Sequence, residues 1–234
     1  MDLIECNNIA NRHPWELSRV HCLIKEVKKY HGGKTLLDIG CGDGYLDHKL
    51  IEEISNIEKI YGIDIYAKEE IKEDKYLVVN DYNKLKKKKF DTILMFDVLE
   101  HIADDADFLD KTVSPLLNDN GKIILTVPAY QALFSKHDIS LKHFRRYNVR
   151  MIKECCNKAN LKVIKSHYFY ASLLPLRVLT KLLNRDNKAN EWKYNDKHII
   201  TRMIRGILNL DYNICKKMNK LSFGLSLFIV IEKK

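Results

Sequence analysis

The stretch Thr35-Leu36-Leu37-Asp38-Ile39-Gly40-Cys41-Gly42-Asp43-Gly44 decides the fold of this 234-residue chain. An apolar strand that carries Asp38 runs directly into three glycines at alternate positions. Glycine suits a tight turn from a strand to a helix, because a Cβ there would block the close approach of a ligand to the backbone. The stretch therefore predicts the strand, ligand-binding turn and helix that open a parallel α/β sheet.

A second carboxylate, Asp64, follows at the end of the next apolar strand. A carboxylate about 20 residues beyond such a loop can accept hydrogen bonds from the two hydroxyls of a ribose. The loop departs from the dinucleotide fingerprint, because Asp38 and Asp43 would repel a pyrophosphate. Carboxylates instead suit a nucleoside cofactor that carries an amino group and a sulfonium.

The loop resembles the first motif, hhDhGxGxG, of the class I S-adenosylmethionine-dependent methyltransferases, in particular of a type 11/12-like bacterial or archaeal subgroup. Further landmarks follow in the family's order. The segment Val78–Tyr82 ends a third strand with an acidic residue, which in the family faces the adenine amino group. The segment Phe90–His101 looks like the fourth motif, whose strand opens onto the methyl donor.

The N-terminal segment His13-Pro14-Trp15-Glu16-x-x-Arg19 resembles that of a subgroup of these enzymes. There the arginine reaches the cofactor's carboxylate and the tryptophan covers the site; the alternative is a helix with a surface arginine. The resemblance implies S-adenosylmethionine as the cofactor. The residues that we assign to the cofactor site are Trp15, Arg19, Asp38, Gly40, Cys41, Gly42, Gly44, Asp64, Ile65, Asn80, Asp81, Tyr82, Phe96 and Asp97.

Alternating strand and helix patterns predict a seven-stranded, Rossmann-like, mostly parallel sheet with helices on both faces. The family resemblance implies that the last strand runs antiparallel. Predicted strands cover 35–39, 59–64, 76–79, 90–96, 121–127, 161–170 and 225–231. Predicted helices cover 15–30, 45–54, a short stretch near Lys68, 104–117 and 148–160.

We expect residues 1–234 to form a single domain with an N-terminal helical segment, 1–31, and a helical insertion, 172–221, between strands six and seven. The insertion contains two apolar helices with basic residues beside them, separated by the polar stretch Asn184–Asp196. Three interpretations stay open: a cap over the acceptor pocket, a dimer interface, or an interfacial membrane surface.

The composition sets limits on compartment and partners. Six cysteines without metal-ligand spacing suit reduced thiols, and no apolar run is long enough to span a bilayer, so we expect a cytoplasmic protein. The net charge of +9 does not by itself indicate nucleic acid as a partner, because Lys, Asn and Ile are frequent throughout, as AT-rich coding produces. We expect a small-molecule acceptor, with a lipid-linked substrate or a membrane surface as the alternative, and a monomer or homodimer.

The polar loop Ser135–Tyr147 lies where the family's acceptor pocket opens, and it resembles a D-x-x-x-x-H-x-R-R-Y segment of bacterial relatives associated with natural products and surface glycans. Its Asp138 occupies the first matching position. His143, His101 and His137 are the candidate catalytic bases. Arg145, Arg146 and Tyr147 are the candidate acceptor-binding residues, unless the arginines form structural ion pairs with the core.

Asp97-x-x-Glu100-His101, together with His137 or His143, also resembles the ligand set of metal-assisted methyltransferases that act on RNA ends or quinone precursors. In many relatives this turn is merely structural, so we expect no metal. The sequence favours a methyltransferase (EC 2.1.1.-) that O-methylates a small acidic, glycan, lipid-linked or secondary-metabolite acceptor. The alternatives are a metal-assisted RNA or quinone-precursor enzyme and an inactive cofactor-binding regulatory protein.

Overall fold

The computed structural model describes residues 12–67, 69–182, 193–218 and 223–234. Its helices are α1 (Pro14–Tyr30), α2 (Tyr45–Glu53), α3 (Asp105–Phe108), α4 (Lys136–Ser140), α5 (Val149–Lys158), α6 (Leu174–Leu182) and α7 (Ile199–Lys217). Its strands are β1 (Thr35–Ile39), β2 (Lys59–Ile63), β3 (Ile71–Lys72), β4 (Tyr76–Val79), β5 (Phe90–Phe96), β6 (Leu117–Pro128), β7 (Leu161–Phe169) and β8 (Ser226–Lys233).

The strands form one sheet in the order β3-β4-β2-β1-β5-β6-β8-β7. The five strands from β4 to β6 are mutually parallel, whereas β8 lies antiparallel between β6 and β7. The chain order reverses at β1, so the connections that leave the carboxyl ends of β1 and β5 run in opposite directions and leave a crevice, the usual ligand position in open α/β sheets. The predicted mostly parallel sheet with an antiparallel last strand is confirmed.

Successive strand residues point to opposite faces of the sheet, and each face has its own core. In β1, Leu37 belongs to the cluster formed with α5, whereas Leu36 belongs to the cluster formed with α1, α2 and α7. Both side chains are fully buried. This arrangement explains why the central strands read as continuous apolar runs.

The sheet has eight strands, so the predicted count of seven is wrong. The additional strand, β3, is only two residues long and pairs antiparallel with β4 at the edge of the sheet. Both of its residues are exposed, so no alternation of apolar and polar residues reveals it. The short helix that we predicted near Lys68 is centred on a residue outside the described chain.

The predicted helix over 104–117 is α-helical only in α3 and continues as a wider π turn over Leu109–Val113 and a 3-10 turn over Ser114–Leu116. Pro115 explains the change, because proline lacks an N–H and its ring crowds the carbonyl four residues earlier. Strand β6 then begins at Leu117, earlier than predicted.

Helix α7 packs its inner side against α1 and β7. The Tyr212 hydroxyl donates to Glu26 Oε1 of α1 at 2.7 Å, and Lys216 also pairs with Glu26. His167 Nε2 of β7 lies 3.2 Å from the same Tyr212 hydroxyl. The inner side of α7 therefore belongs to the core, while the assignment of 172–221 as a cap stays a prediction.

Two predicted segments lie partly outside the described chain. They are the N-terminal segment 1–31, of which residues 1–11 are not described, and the polar stretch Asn184–Asp196, of which residues 184–192 are not described. Among the described helices, none combines the length and the apolar character that a bilayer crossing requires.

Candidate active site

The glycine loop between β1 and α2 lies in direct contact with neighbouring side chains. Gly40 has φ +78° and Gly44 has φ +74°, conformations that L residues rarely adopt. A Cβ at Gly40 would lie 2.6 Å from Val98 Cγ2, and one at Gly44 would lie 2.6 Å from the Tyr76 hydroxyl. The loop therefore tolerates no side chain at these two positions, because the space that a Cβ would take is already filled by the protein.

The Asp64 carboxylate, at the end of β2, is positioned by backbone amides. Its Oδ2 accepts from Gly42 N at 3.0 Å, and its Oδ1 accepts from Tyr66 N at 2.8 Å. Each carboxylate oxygen has a second lone pair, so both can still accept a hydroxyl proton. The neighbouring Ile65 side chain is 89% exposed, which leaves an apolar surface beside the carboxylate.

Asp38 and Asp47 form a buried acidic pair at the end of β1 and the start of α2. Asp38 Oδ1 and both oxygens of Asp47 have no hydrogen bond of ordinary geometry among the described residues, although the Tyr76 hydroxyl lies close enough to Asp47 to favour its charged form. Burial and the nearby Asp64 carboxylate raise the pKa of Asp38 to about 7. Burial and Asp38 raise the pKa of Asp47 well above its usual range, so the pair holds a proton near neutrality.

Other predicted cofactor residues have structural partners. The Cys41 side chain is buried against Gly62 of β2, so only its backbone can face a ligand. Asp81 Oδ1 caps the following turn by accepting from Asn83 N at 2.8 Å, and the Tyr82 hydroxyl donates to Thr112 O at 2.8 Å. Asn80 is exposed beside them.

Arg19 crosses from α1 to the end of β5. Its guanidinium donates to Thr126 Oγ1 at 2.7 Å, pairs with Asp97, and lies 5.3 Å from the centre of the Trp15 ring. Asp97 follows the buried Phe96 and has φ +58°, a conformation that is uncommon for a residue other than glycine and clusters at functional sites. The structure thus brings Trp15, Arg19 and Asp97 together at the crevice.

Sequence reasoning missed Arg12. Its guanidinium pairs with Asp43 of the glycine loop and with Glu16 of α1, and it lies 3.9 Å from the centre of the Tyr45 ring. The spacing of four residues between Arg12 and Glu16 was the available signal. Asp43, whose carboxylate we expected to suit a cationic cofactor, is therefore paired with Arg12 of the protein itself.

On the acceptor side, Asp138 is fully buried and connects the loop Ser135–Tyr147 to α6. It accepts from Ser135 N at 2.9 Å, Arg146 Nε at 2.7 Å and Arg177 at 3.3 Å, and it lies 3.1 Å from His143 Nδ1. Burial alone would raise the pKa of Asp138, but these hydrogen bonds and the charge of Arg146 hold it well below its usual range. Asp138 therefore stays ionised and fixes the orientation of His143.

The structure brings two of the three predicted bases together. The His101 and His143 rings meet edge to face with centroids 4.6 Å apart, and one ligand atom each from Glu100, His101 and His143 lie within 4.8 Å of one another. Glu100 is buried, and burial together with the Asp97 carboxylate raises its pKa well above its usual range. Asp97 and His137, the other predicted ligands, do not belong to this group in the described chain.

The predicted acceptor-binding residues are engaged within the protein. Arg145 donates to Asp105 Oδ2 at 2.7 Å and to Ala103 O at 2.6 Å, and Arg146 is buried against Asp138. The Tyr147 hydroxyl is buried between Asp105 Oδ2 and Leu99 O. These contacts correspond to the alternative that we raised, in which both arginines form structural ion pairs, and their role toward an acceptor stays a prediction.

These features fit the cofactor that the family resemblance implies. S-adenosylmethionine has a ribose diol, a purine and two cationic groups. The described crevice offers the positioned carboxylate of Asp64, the exposed Ile65 and a carboxylate oxygen on Asp38 without a hydrogen-bond partner among the described residues.

The chain is similar to known methyltransferases. Residues 19–166 match the methyltransferase domain family. A ubiquinone biosynthesis O-methyltransferase of Pelagibacter ubique (strain HTCC1062) is 38% identical over 114 residues, which span 42% of this chain and 46% of that protein. The chain therefore spans about half the length of this curated relative.

Solved structures show the same fold. One is the complex between the Trm112 methyltransferase activator of Haloferax volcanii and a methyltransferase, with a TM-score of 0.55, 16% identity, and coverage of 92% of this chain and 90% of that one. Another is a coclaurine N-methyltransferase bound to N-methylheliamine and S-adenosylhomocysteine, with a TM-score of 0.54, 13% identity, and coverage of 93% and 71%.

Proposed function

The chain belongs to the class I S-adenosylmethionine-dependent methyltransferases, and from this membership we propose that it transfers the methyl group to a hydroxyl oxygen of a small acceptor. His143 is the proposed base. The observation that carries this proposal is the contact between His143 Nδ1 and the buried Asp138 carboxylate at 3.1 Å. An imidazole held in this way by a carboxylate is the arrangement of a general base.

The ionised Asp138 accepts a hydrogen bond from the N–H at His143 Nδ1, which leaves the imidazole lone pair on Nε2. A hydroxyl acceptor within hydrogen-bond distance of Nε2 gives up its proton there as its oxygen forms the new bond. Asp138 then stabilises the imidazolium that results, because the two opposite charges are in contact. S-adenosylmethionine, when bound, supplies the activated methyl group.

The acceptor class follows from the chemistry of this base. An amine that is already neutral needs no deprotonation before methyl transfer, whereas a hydroxyl does. The name of the curated relative, an O-methyltransferase, also supports oxygen as the acceptor atom. We do not assign Arg145 and Arg146 to an anionic group of the acceptor, because both already have carboxylate partners.

The test compares His143→Ala with His21→Ala, an exposed histidine on α1. Catechol and a 4-alkylcatechol serve as hydroxyl probes, and methyl transfer is followed as a mass shift. We expect His143→Ala to lower turnover by about 10² to 10⁴. Affinity for S-adenosylhomocysteine, measured by calorimetry, should stay unchanged in both variants. Full turnover in His143→Ala would show that this histidine is not the base.

A second candidate function, metal-assisted methyl transfer, is favoured by the proximity of Glu100, His101 and His143. A divalent cation on these ligands would lower the pKa of a bound hydroxyl and orient it. In that case His143 Nε2 serves as a ligand and not as a base.

Titration with Mn²⁺, followed by electron paramagnetic resonance, separates the two candidates. Metal-assisted transfer predicts stoichiometric Mn²⁺ binding that Glu100→Ala and His101→Ala abolish, and a loss of turnover in chelator that added metal restores. General-base catalysis predicts neither effect.

A further inference from the structure

Helix α7 has a second apolar side that the core does not use. Thr201, Leu208 and Tyr212 face inward and are buried. On the opposite side, a row of apolar residues is 47–61% exposed, and we call it the outer stripe: Ile199, Met203, Ile207, Leu210, Ile214 and Met218. At 3.6 residues per turn these six positions fall within about 100° of the helix circumference. A contiguous row of apolar side chains is unfavourable in contact with water. We therefore infer that the outer stripe contacts an apolar partner.

Helix α6 continues this exposed apolar character on the acceptor side of the molecule. Its Leu176 and Leu179 are 58% and 52% exposed. Asp211 of α7 accepts from the amide and hydroxyl of Ser172, just before α6, at 3.1 and 2.6 Å. Arg177 of α6 then reaches Asp138, the carboxylate that orients His143. The two helices are thus connected to each other and to the candidate active site.

The charges beside the outer stripe identify its partner. The exposed cations on and just before α7 are Lys193, Lys197, Arg202 and Lys217. Asp196 is exposed among them, whereas Asp211 is occupied by Ser172. A second copy of the chain would bring this cationic border against itself, while anionic lipid headgroups would neutralise it. Apolar residues flanked by Lys and Arg are the features of a helix that lies in a membrane interface.

We propose that the outer stripe docks the enzyme on the surface of an anionic phospholipid bilayer. In this position α7 lies in the plane of the interface, with the stripe among the acyl chains and Arg202 and Lys217 at the headgroups. The docking does not depend on which acceptor atom is methylated, so its test needs no turnover.

The test is co-sedimentation of the full chain with phosphatidylcholine vesicles that contain or lack about one third phosphatidylglycerol. We expect binding only to the anionic vesicles, and weaker binding at higher salt. Ile207→Gln together with Leu210→Gln should lower the partition coefficient tenfold or more, since each exchange removes an apolar side chain from the lipid. Arg202→Ala and Lys217→Ala should each lower it about fivefold.

The matched control is Ile71→Gln, an exposed isoleucine on β3 at the opposite edge of the sheet, which should not change binding. Circular dichroism checks that every variant is folded. Equal binding to both kinds of vesicle, or no binding, would overturn the proposal. So would sedimentation equilibrium without lipid that shows a dimer dispersed by Ile207→Gln and Leu210→Gln, because the occupant would then be a second copy.

Discussion

The two halves of the crevice are built differently. On the cofactor side, backbone groups position the ligand-binding atoms: two amides hold the Asp64 carboxylate, and glycines keep the loop free of side chains. On the acceptor side, side chains position one another around Asp138: His143 and Arg146 come from the same loop, and Arg177 comes from α6. A backbone-built site depends on main-chain geometry, whereas a side-chain network depends on the presence of each of its members. We therefore expect the first to be rigid and local, and the second to fail as a unit.

The largest effect should come from Asp64→Ala. Two charge-assisted hydrogen bonds to the ribose, at about 1.5 to 3 kcal/mol each, give an expected loss of about 3 to 6 kcal/mol in binding free energy. Calorimetric titration with S-adenosylhomocysteine measures it. Asp74→Ala removes an exposed carboxylate before β4, at the opposite end of the parallel strands, and serves as the control. If Asp64→Ala bound normally, Asp64 would have no role in the cofactor site.

Asp138→Asn tests whether the acceptor side fails as a unit. The exchange keeps the shape but removes the charge that compensates the buried Arg146, so we expect a loss of about 3 to 5 kcal/mol in the free energy of unfolding. Urea titration measures this loss. Cofactor affinity of the folded variant should be unchanged.

The control for this exchange is Asp119→Asn, whose carboxylate is fully exposed beside Lys233 and should not affect stability. If Asp138→Asn weakened cofactor binding as strongly as it lowered stability, the two halves of the crevice would be coupled, contrary to our comparison.

The pH dependence of the unfolding free energy tests whether His167 is packed against α7. Burial lowers its pKa to about 4, whereas in the unfolded chain it has the ordinary histidine value of about 6.5. Between these values the unfolded chain binds a proton that the folded protein does not, so stability is complete above about pH 6.5 and falls toward pH 4. The loss amounts to at most about 3 kcal/mol.

Other buried groups also titrate in this range, so the quantity to measure is a difference. We expect the unfolding free energy of the wild type minus that of His167→Gln to decrease from pH 7 to pH 4.5. A difference that is independent of pH would mean that His167 is not held neutral between Tyr212 and the sheet.

The smallest effects come from two glycines, one in the cofactor loop and one in α7. Gly40→Ala should cost about 1 to 3 kcal/mol of stability, because its φ is positive and the new Cβ would meet Val98. Gly206→Ala, inside α7 with no atom within 4 Å of the added Cβ, should gain about 0.5 to 1 kcal/mol. Thermal unfolding of both variants checks the opposite signs.

The cofactor side and the acceptor side also differ in how much of each the sequence predicted. The alternation of strands and helices, the glycine loop and Asp64 depend on local spacing, and the structure confirms the mostly parallel sheet that this alternation predicted. Strand β3 was missed because two exposed residues carry no periodic signal. The end of the helix after Asp105 was misjudged because the pattern of apolar residues continued through Pro115, whose effect on the backbone should have taken precedence.

The network around Asp138 could not be assembled from the sequence. The segment from Asp138 to Tyr147 contains three of its members, but Arg177 joins Asp138 from 39 residues away, and no local pattern announces that contact. Arg145 and Arg146 are adjacent in sequence yet bind different carboxylates, Asp105 and Asp138. Their side chains diverge, so adjacency alone did not predict a shared ligand.

The acid pair of Asp38 and Asp47 also affects the charge that the folded protein presents to its surroundings. A proton retained there near neutral pH makes the folded molecule more positive than the +9 counted from its composition. Electrophoretic mobility of the native protein should therefore exceed that expected from composition, and denaturation in an unbuffered neutral solution should acidify it. The buried acid pair thus retains protons in the folded protein, and unfolding releases them to the solution.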